Sequence, residues 1–229
     1  MKLVIFDCDG TLIDSQHNIT AAMTHAFTRH DLVAPPTHKV LSVVGLSLTE
    51  AFAVLAPDES PDVRRSLAEH YRSAHAEGRL QRQDEPLYPG IRDAIASLVE
   101  RGDVLLGIAT GKSRRGVARL LEREGWHGTF LTIQTADDHP SKPHPSMILS
   151  ALAEAGVAAD AAVMVGDTSF DMAMARSASV GALGVGWGYH RPDLLLATGA
   201  HHVIRSGDEL IGAIEQRLAE QALGSTEAQ

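Results

Sequence analysis

The stretch Lys2-Leu-Val-Ile-Phe-Asp-Cys-Asp-Gly-Thr-Leu-Ile-Asp14 decides how this chain folds. Its apolar start, residues 3–6, predicts a strand that is buried on both faces. Because side chains alternate along a strand, Asp7 and Asp9 leave the same side of the chain while Cys8 points into the core. Two carboxylates ~5 Å apart repel each other by roughly 3 kcal/mol at an effective dielectric of ~20. A turn with a helix cap explains one of these acids but not both, so the pair indicates a chemical site.

Polar residues also follow a second apolar run, residues 104–109, and a later proline-rich loop. Thr110 and Gly111 offer a hydroxyl and the N–H groups of a turn, which suit a phosphate, although the same pair begins many ordinary turns. Lys142 lies between prolines in a stiff loop and is one of only four lysines in the chain. It is a candidate phosphate ligand, with a solvated loop lysine as the alternative.

A third apolar run, residues 162–166, is followed by Asp167 and Asp171. Residues four apart share one face of a helix, so these carboxylates should lie together at a helix start. Helix capping explains one acid at such a position. Together with the earlier segments, the two acids therefore extend the candidate site.

Outside residues 15–86 the hydrophobic pattern alternates between strand and helix. It predicts strands at about 2–6, 104–109, 130–134, 162–166, 181–186 and 202–204. The predicted helices are about 90–101, 114–124, 144–155, 169–178 and 207–222. This alternation is typical of an α/β fold with a Rossmann-like parallel sheet covered by helices on both faces. Ligands bind at the carboxyl ends of such strands, which is where the polar segments fall.

Residues 15–86 break this pattern and show helical spacing throughout. We predict that they form an inserted α-helical cap on a core made of residues 1–14 and 87–223, with hinges near 14–15 and 85–89. A rigid second domain without motion is the alternative. Residues 224–229 are expected to be a disordered tail.

The composition narrows the class of protein and of partner. The chain of 229 residues has a net charge of −9 and a single cysteine. The negative charge argues against nucleic acid as a partner, and one cysteine fits a reducing, cytoplasmic compartment. No apolar stretch is long enough to span a membrane, and the start is too short for a signal peptide. We expect a monomer or weak dimer.

The order Asp-x-Asp, Thr, Lys and Asp-x-x-x-Asp resembles the four motifs of the haloacid-dehalogenase-like hydrolase superfamily, whose members are mostly phosphatases. Asp7 and Asp9 match the first motif, Thr110 the second and Lys142 the third. The run Gly166 to Asp171 matches the fourth. The resemblance covers residues 1 to about 205, and the helical insertion with its Tyr-Pro-Gly return at 88–90 is most similar to the phosphoglycolate-phosphatase-like branch.

This resemblance implies a small phosphorylated metabolite as substrate and Mg²⁺ as cofactor. Four carboxylates with one nearby lysine also call for a divalent cation, and carboxylate oxygens suit Mg²⁺. Asp7 would be the nucleophile and Asp9 the general acid and base. The metal would be held by Asp7, Asp9 through its carbonyl, and Asp167. The remaining roles are phosphate binding by Thr110, Gly111 and Lys142, and support from Thr11 and Asp171.

Two other functions stay open at this point. A hexose-phosphate mutase shares every core motif, but mutases of this type carry a histidine where this chain has Ile19, and His17 is only close to that place. A non-catalytic phosphate-binding protein is the other alternative, although an intact nucleophile argues against it. Dehalogenases lack the second acid, and phosphonoacetaldehyde hydrolases need a cap lysine that residues 44–50 do not supply.

The specificity of the site should come from the cap. A glycine interrupts the helical pattern at Gly45, and we expect Gly45, Leu46 and Ser47 to present free backbone N–H groups to the substrate.

Overall fold

Six parallel strands form one sheet at the centre of the molecule. The computed structural model describes residues 1–76 and 85–227. Within these ranges the strands are β1 (Lys2–Phe6), β2 (Val104–Thr110), β3 (Thr132–Thr135), β4 (Ala162–Gly166), β5 (Gly181–Val185) and β6 (His202–Ile204). Their order is β3-β2-β1-β4-β5-β6, and all neighbours are parallel. The predicted α/β fold with a parallel sheet is confirmed.

Ten helices are seen in the same ranges. Four belong to the inserted segment: α1 (Gln16–Thr28), α2 (Thr37–Leu41), α3 (Leu48–Leu55) and α4 (Pro61–Ala76). Six accompany the sheet: α5 (Ile91–Glu100), α6 (Arg114–Glu124), α7 (Ser146–Ala155), α8 (Ser169–Ser177), α9 (Pro192–Thr198) and α10 (Leu210–Glu227). Short 3-10 turns lie at Ala159–Ala161 and Gly207–Glu209.

Strand β1 shows how the sequence builds both faces of the sheet. Val4 and Phe6 pack in one apolar cluster with side chains of α5, α6 and α10. Leu3 and Ile5 pack in a second cluster with side chains of α7 and α8. Cys8 is fully buried and continues the first cluster, as the alternation predicted. The sheet is therefore covered on both faces, and both clusters anchor the strand that ends at Phe6, immediately before Asp7.

The inserted helices have an apolar core of their own. Phe52 is fully buried there, with its ring centroid 6.1 Å from that of Phe27 and 6.3 Å from that of Tyr71. Leu67 of α4 and Met23 of α1 complete the cluster. Helical spacing in this segment therefore reflects packing within the cap, although residues 77–84 lie outside the described ranges.

The two chain connections between cap and core run side by side. The Asp14 N–H donates to Pro86 O over 2.9 Å, and Ile13 pairs with Leu87 in an isolated antiparallel bridge. The two segments predicted as hinges thus lie side by side and are joined by hydrogen bonds, a connection called the neck below.

One helix was missed and one predicted boundary was wrong. Helix α9 was not predicted, because the short run 192–198 lies between glycines and shows little periodicity. Helix α10 extends to Glu227, so residues 224–227 are helical and only 228 and 229 of the predicted tail lie outside the described residues. Extending an existing helix costs far less than starting one, which carries α10 past Gly224. Among the described helices, none is both long and apolar enough to cross a membrane.

Candidate active site

Asp7 occupies the carboxyl end of the central strand and is buried. Its N–H donates to Val165 O of β4 over 3.0 Å, which fixes the backbone at the place where the chain leaves β1. The Lys142 ammonium lies 3.1 Å from Asp7 Oδ1 and donates to Asp171 Oδ1 over 2.6 Å. All three side chains are buried. The loop lysine is therefore not solvated, and it links two acids that are far apart in sequence.

Asp7, Asp167 and Asp171 form a buried acidic cluster. One oxygen of each lies within 4.8 Å of the others. Burial, opposed by Lys142, raises the pKa of Asp7 to about 6, and burial followed by the charges of Asp171 and Asp7 raises that of Asp167 well above its usual value. Burial alone would lower the pKa of Lys142, but Asp171 and Asp7 outweigh it and raise the pKa. The cluster thus carries more negative charge than its one ammonium group can balance.

Asp167 is held by the loop that follows β1. Thr11 Oγ1 donates to Asp167 Oδ1 over 2.8 Å, and the Tyr189 N–H donates to Asp167 Oδ2 over 2.9 Å. Gly10 makes this approach possible, since it has φ +86° and a Cβ there would lie 2.2 Å from Asp167 Oδ2. The glycine of the first motif therefore serves the contact between β1 and β4.

Both carboxylate oxygens of Asp171 accept hydrogen bonds from neighbouring residues. The N–H and the hydroxyl of Thr168 donate to Asp171 Oδ2 over 3.0 and 2.6 Å, in a capping box that starts α8. Its other oxygen accepts from Lys142. Asp7 contrasts with this: within residues 1–76 and 85–227, neither of its oxygens completes a hydrogen bond of good geometry.

The cluster fits a hard divalent cation. Among the described residues, the two buried Asp7 oxygens find no hydrogen bond of good geometry beyond the ionic contact with Lys142, and a metal or a phosphoryl group would satisfy them. Carboxylate oxygens favour Mg²⁺ among the abundant ions. Asp171 is already saturated by Lys142 and Thr168, so it can orient the site rather than act as a direct ligand.

Asp9 lies apart from the cluster and has a lysine of its own. The Lys112 ammonium donates to Asp9 Oδ1 over 2.7 Å and lies 3.6 Å from Glu85 Oε2. Glu85 Oε1 in turn accepts from the Asn18 amide of α1 over 2.9 Å. The expectation of only one lysine near the four acids was wrong. The turn after Thr110 places Lys112 next to Asp9. The sequence signal for this contact was that Lys112 lies only two residues after Thr110 of the second motif.

Thr110 and Gly111 lie where β2 ends beside β1. Thr110 is buried, and its Oγ1 accepts the N–H of Lys112 over 3.2 Å, which tightens the turn. Both residues line the same cavity as Asp7 and Asp9. The structure therefore brings the second motif to the first, as a candidate phosphate-binding turn.

The cap segment 45–47 closes over this turn. A Cβ on Gly111 would lie 2.8 Å from Gly45 O, so the backbones of cap and core touch there. Gly45, Leu46 and Ser47 line the cavity. The expectation that their N–H groups are free was wrong for two of them. The Ser47 N–H donates to Ser141 Oγ of the core over 2.8 Å, and the Leu46 N–H donates to Val43 O over 3.2 Å in a turn within the cap.

Several known proteins are similar to this chain in sequence and fold. Residues 4–185 match the haloacid dehalogenase-like hydrolase family. IndB of Dickeya dadantii, a probable phosphatase, is 34% identical over 214 residues, which are 92% of each chain. The phosphoglycolate phosphatase of Rhodospirillum rubrum is 31% identical over 83% of this chain and 81% of its own. A haloacid dehalogenase-like hydrolase structure from Streptococcus pneumoniae shares 27% identity at a TM-score of 0.80, covering 93% of this chain and 98% of that one.

The chain belongs to the haloacid dehalogenase-like hydrolase family. Within it the protein is an enzyme, a phosphoric monoester hydrolase similar to the phosphoglycolate phosphatases.

Proposed function

We propose that this protein hydrolyses a small phosphate monoester through a phosphorylated form of Asp7 and needs Mg²⁺ to do so. The observation that carries this proposal is the Asp7 carboxylate, buried beside Lys142 with no complete hydrogen bond to the described residues. A buried carboxylate held in this way is costly unless a ligand completes it. A phosphoryl group and a cation together would do so.

Each residue then has a definite task. Asp7 attacks phosphorus, and the leaving alcohol departs with a proton from Asp9. Asp9 next takes a proton from the water that attacks the aspartyl-phosphate, which releases phosphate and restores Asp7. Thr110, Lys142 and the N–H of Gly111 bind the phosphoryl oxygens as charge spreads over them.

The metal would be held by Asp7, the carbonyl of Asp9 and Asp167, with Asp171 orienting the site. When bound, it neutralises negative charge so that a phosphate dianion can approach the acids. Thr11 and Tyr189 keep Asp167 in place for this role through the bonds described above. Thr11 is therefore a supporting residue.

The inserted helices, residues 15–86, are proposed to act as a lid that excludes water and selects the leaving group. A net charge of −9 supports a small metabolite, rather than nucleic acid, as the substrate. A cytoplasmic monomer or weak dimer remains our expectation.

The proposal is tested with Asp7→Asn and with metal removal. Wild-type protein with Mg²⁺ should hydrolyse p-nitrophenyl phosphate, and both Asp7→Asn and excess chelator should abolish turnover, the latter reversibly. Asp14→Asn changes an aspartate of the same loop outside the cluster and should remain active. Acid quenching with a radiolabelled phosphate ester should leave label on wild type and none on Asp7→Asn. Full activity in chelator, or label on the variant, would contradict the proposal.

A further inference from the structure

The loop that carries Lys142 connects β3 to α7 and has little regular structure to hold it. Residues 136–145 form turns and contain three prolines, which have no N–H group to donate. Few backbone hydrogen bonds can therefore fix this loop. Its Lys142 ammonium, at the end of a long side chain, nevertheless lies buried at 3.1 Å from Asp7 Oδ1. Side chains have to supply the order that the backbone does not.

His139 joins the two ends of this loop. Its Nε2 lies 2.7 Å from Gln134 Oε1 in β3, and its Nδ1 lies 2.8 Å from Ser146 Oγ at the first residue of α7. The ring thus bridges the strand before the loop and the helix after it. Within residues 1–76 and 85–227, no other side chain of the loop bonds to both of these elements.

The direction of each bond in this chain of contacts follows from Gln134. Its amide nitrogen donates to Thr132 Oγ1 over 2.7 Å, so its carbonyl oxygen is the acceptor that faces His139. His139 Nε2 therefore carries the proton, and Nδ1 of the neutral ring accepts from the Ser146 hydroxyl. Thr132 and Gln134 are buried, and hydrogen bonds from both of them lower the pKa of Glu154 in α7. Both nitrogens of the imidazole are thus used inside the protein.

Two functional contacts lie between the points that His139 anchors. Lys142 donates to Asp171 Oδ1 over 2.6 Å and contacts Asp7, and Ser141 Oγ accepts the N–H of Ser47 in the cap. Lysine has a flexible four-carbon stem, so the place of its ammonium depends on where the backbone starts it. A shift of ~1 Å in a binding group can slow a reaction by roughly a hundredfold.

We propose that His139 is a positioning residue, which holds the 136–145 loop so that the Lys142 ammonium meets the phosphoryl group beside Asp7. This inference rests on the phosphatase function proposed above, in which Lys142 binds the phosphoryl oxygens. The described residues that line the cavity do not include His139, so it acts through Lys142 and not on the substrate.

The first test follows the Lys142 ammonium directly. The chain has only four lysines, so replacing the others one at a time with arginine assigns the ammonium signals in proton–nitrogen NMR. His139→Ala should shift or broaden the Lys142 signal and leave that of Lys112 unchanged. Ser146→Ala removes one of the two bonds but keeps the ring, and it should have a smaller effect on the same signal. An unchanged Lys142 signal in both variants, or an equal change for Lys112, would overturn the inference.

The second test measures the effect on the reaction. With p-nitrophenyl phosphate and Mg²⁺, His139→Ala should lower kcat/KM about tenfold, the factor that one or two ordinary hydrogen bonds represent. His139→Gln keeps a donor near the place of Nε2 and should recover most of this loss. His127→Ala changes an exposed histidine after α6 and should have no effect.

The two tests fail separately. If no form of the protein hydrolyses a phosphate ester, the proposed function is wrong, and the NMR signal still decides whether His139 positions Lys142. Full activity of a folded His139→Ala, or an equal loss in His127→Ala, would overturn the inference while leaving the proposed function intact.

Discussion

At the residue scale, the first motif assigns two aspartates to two different environments. Asp7 lies among buried acids with Lys142, whereas Asp9 contacts Lys112 and faces the cavity. The residues are two apart in sequence, and the chain leaves the strand at Phe6, just before them, and turns through Gly10. These different surroundings support the proposed roles, in which Asp7 is the nucleophile and Asp9 transfers protons.

We predict that Asp9→Asn slows hydrolysis of an alkyl phosphate by about 10²–10⁴ and that of p-nitrophenyl phosphate much less. The alkyl alcohol needs a proton to leave, and p-nitrophenol does not. Steady-state rates on both substrates measure the difference. Equal losses on the two esters would instead indicate that Asp9 orders the metal or the loop.

Asp7 should also destabilise the protein when no metal is bound. Its pKa of about 6 lies above the value of ~3.9 expected in the unfolded chain, so the folded state binds the proton more tightly. Stability therefore rises as pH falls through 6 and the gain is complete below about pH 4. In chelator at pH 7.5, Asp7→Asn should be more stable than wild type by up to about 3 kcal/mol.

This advantage of Asp7→Asn should shrink steadily between pH 7.5 and pH 4, which urea unfolding of both proteins can follow. Comparing the two proteins at each pH cancels the contribution of other titrating groups. A constant difference across the range would show that Asp7 ionises normally in the folded protein.

At the element scale, the site depends on where cap segment 45–47 meets the turn after β2. The contact is between backbones, at Gly45 O and Gly111, and it is strengthened by the Ser47 N–H bond to Ser141. Docking of the cap thus relies on the small size of one residue in the core. It also explains why part of the cap segment has no spare N–H group for the substrate.

We predict that Gly111→Ala prevents full docking of the cap. Its new Cβ would lie 2.8 Å from Gly45 O, which is too close to be tolerated without movement. KM for a large ester should rise, while activity on acetyl phosphate, which needs less of the cap, should fall little. Gly102→Ala is the matched control, because nothing lies within 4 Å of its new Cβ. Unchanged kinetics on both esters would show that this contact does not matter for closure.

At the scale of the whole molecule, the protein consists of two apolar cores joined by a narrow neck. The cap cluster around Phe52 is separate from the two clusters on the sheet. Beyond the neck, the cap contacts the core through polar pairs, such as Ser15 Oγ to Tyr189 Oη at 3.1 Å and His190 Nε2 to Ser42 O at 3.2 Å, and through packing of Tyr189 on the cap cluster. Because the cap has an apolar core of its own, we propose that it moves as a unit.

We predict that Mg²⁺ with inorganic phosphate slows hydrogen exchange of the Ser47 and Leu46 amides and leaves exchange in β1 and β4 unchanged. The ligands should bind the docked cap more tightly and so favour it, while the strands are already buried and hydrogen-bonded without ligand. Exchange measured by mass spectrometry on the peptides covering residues 40–55 and 160–168 tests this. Equal protection of both peptides would indicate global stabilisation instead of closure.

The sequence by itself determined the parallel sheet, the helical insertion and the identity of Asp7, Asp9, Thr110, Lys142 and Asp167 as candidates. The hydrophobic period and the polar residues after each apolar run can be read from short stretches of sequence. The carboxyl ends of parallel strands lie along one edge of the sheet, so the residues that follow the strands are expected to lie close together.

Only the tertiary structure decided the partners of those residues. Lys112 reaches Asp9, Lys142 bridges Asp7 and Asp171, and the arginines of α6 line the cavity. Some of these contacts join residues up to 135 positions apart, as Asp7 and Lys142 are. Others depend on which face of a helix meets the cap. The hydrophobic period of the sequence predicts neither. Side-chain packing between elements makes that choice, because only a folded chain brings their surfaces together.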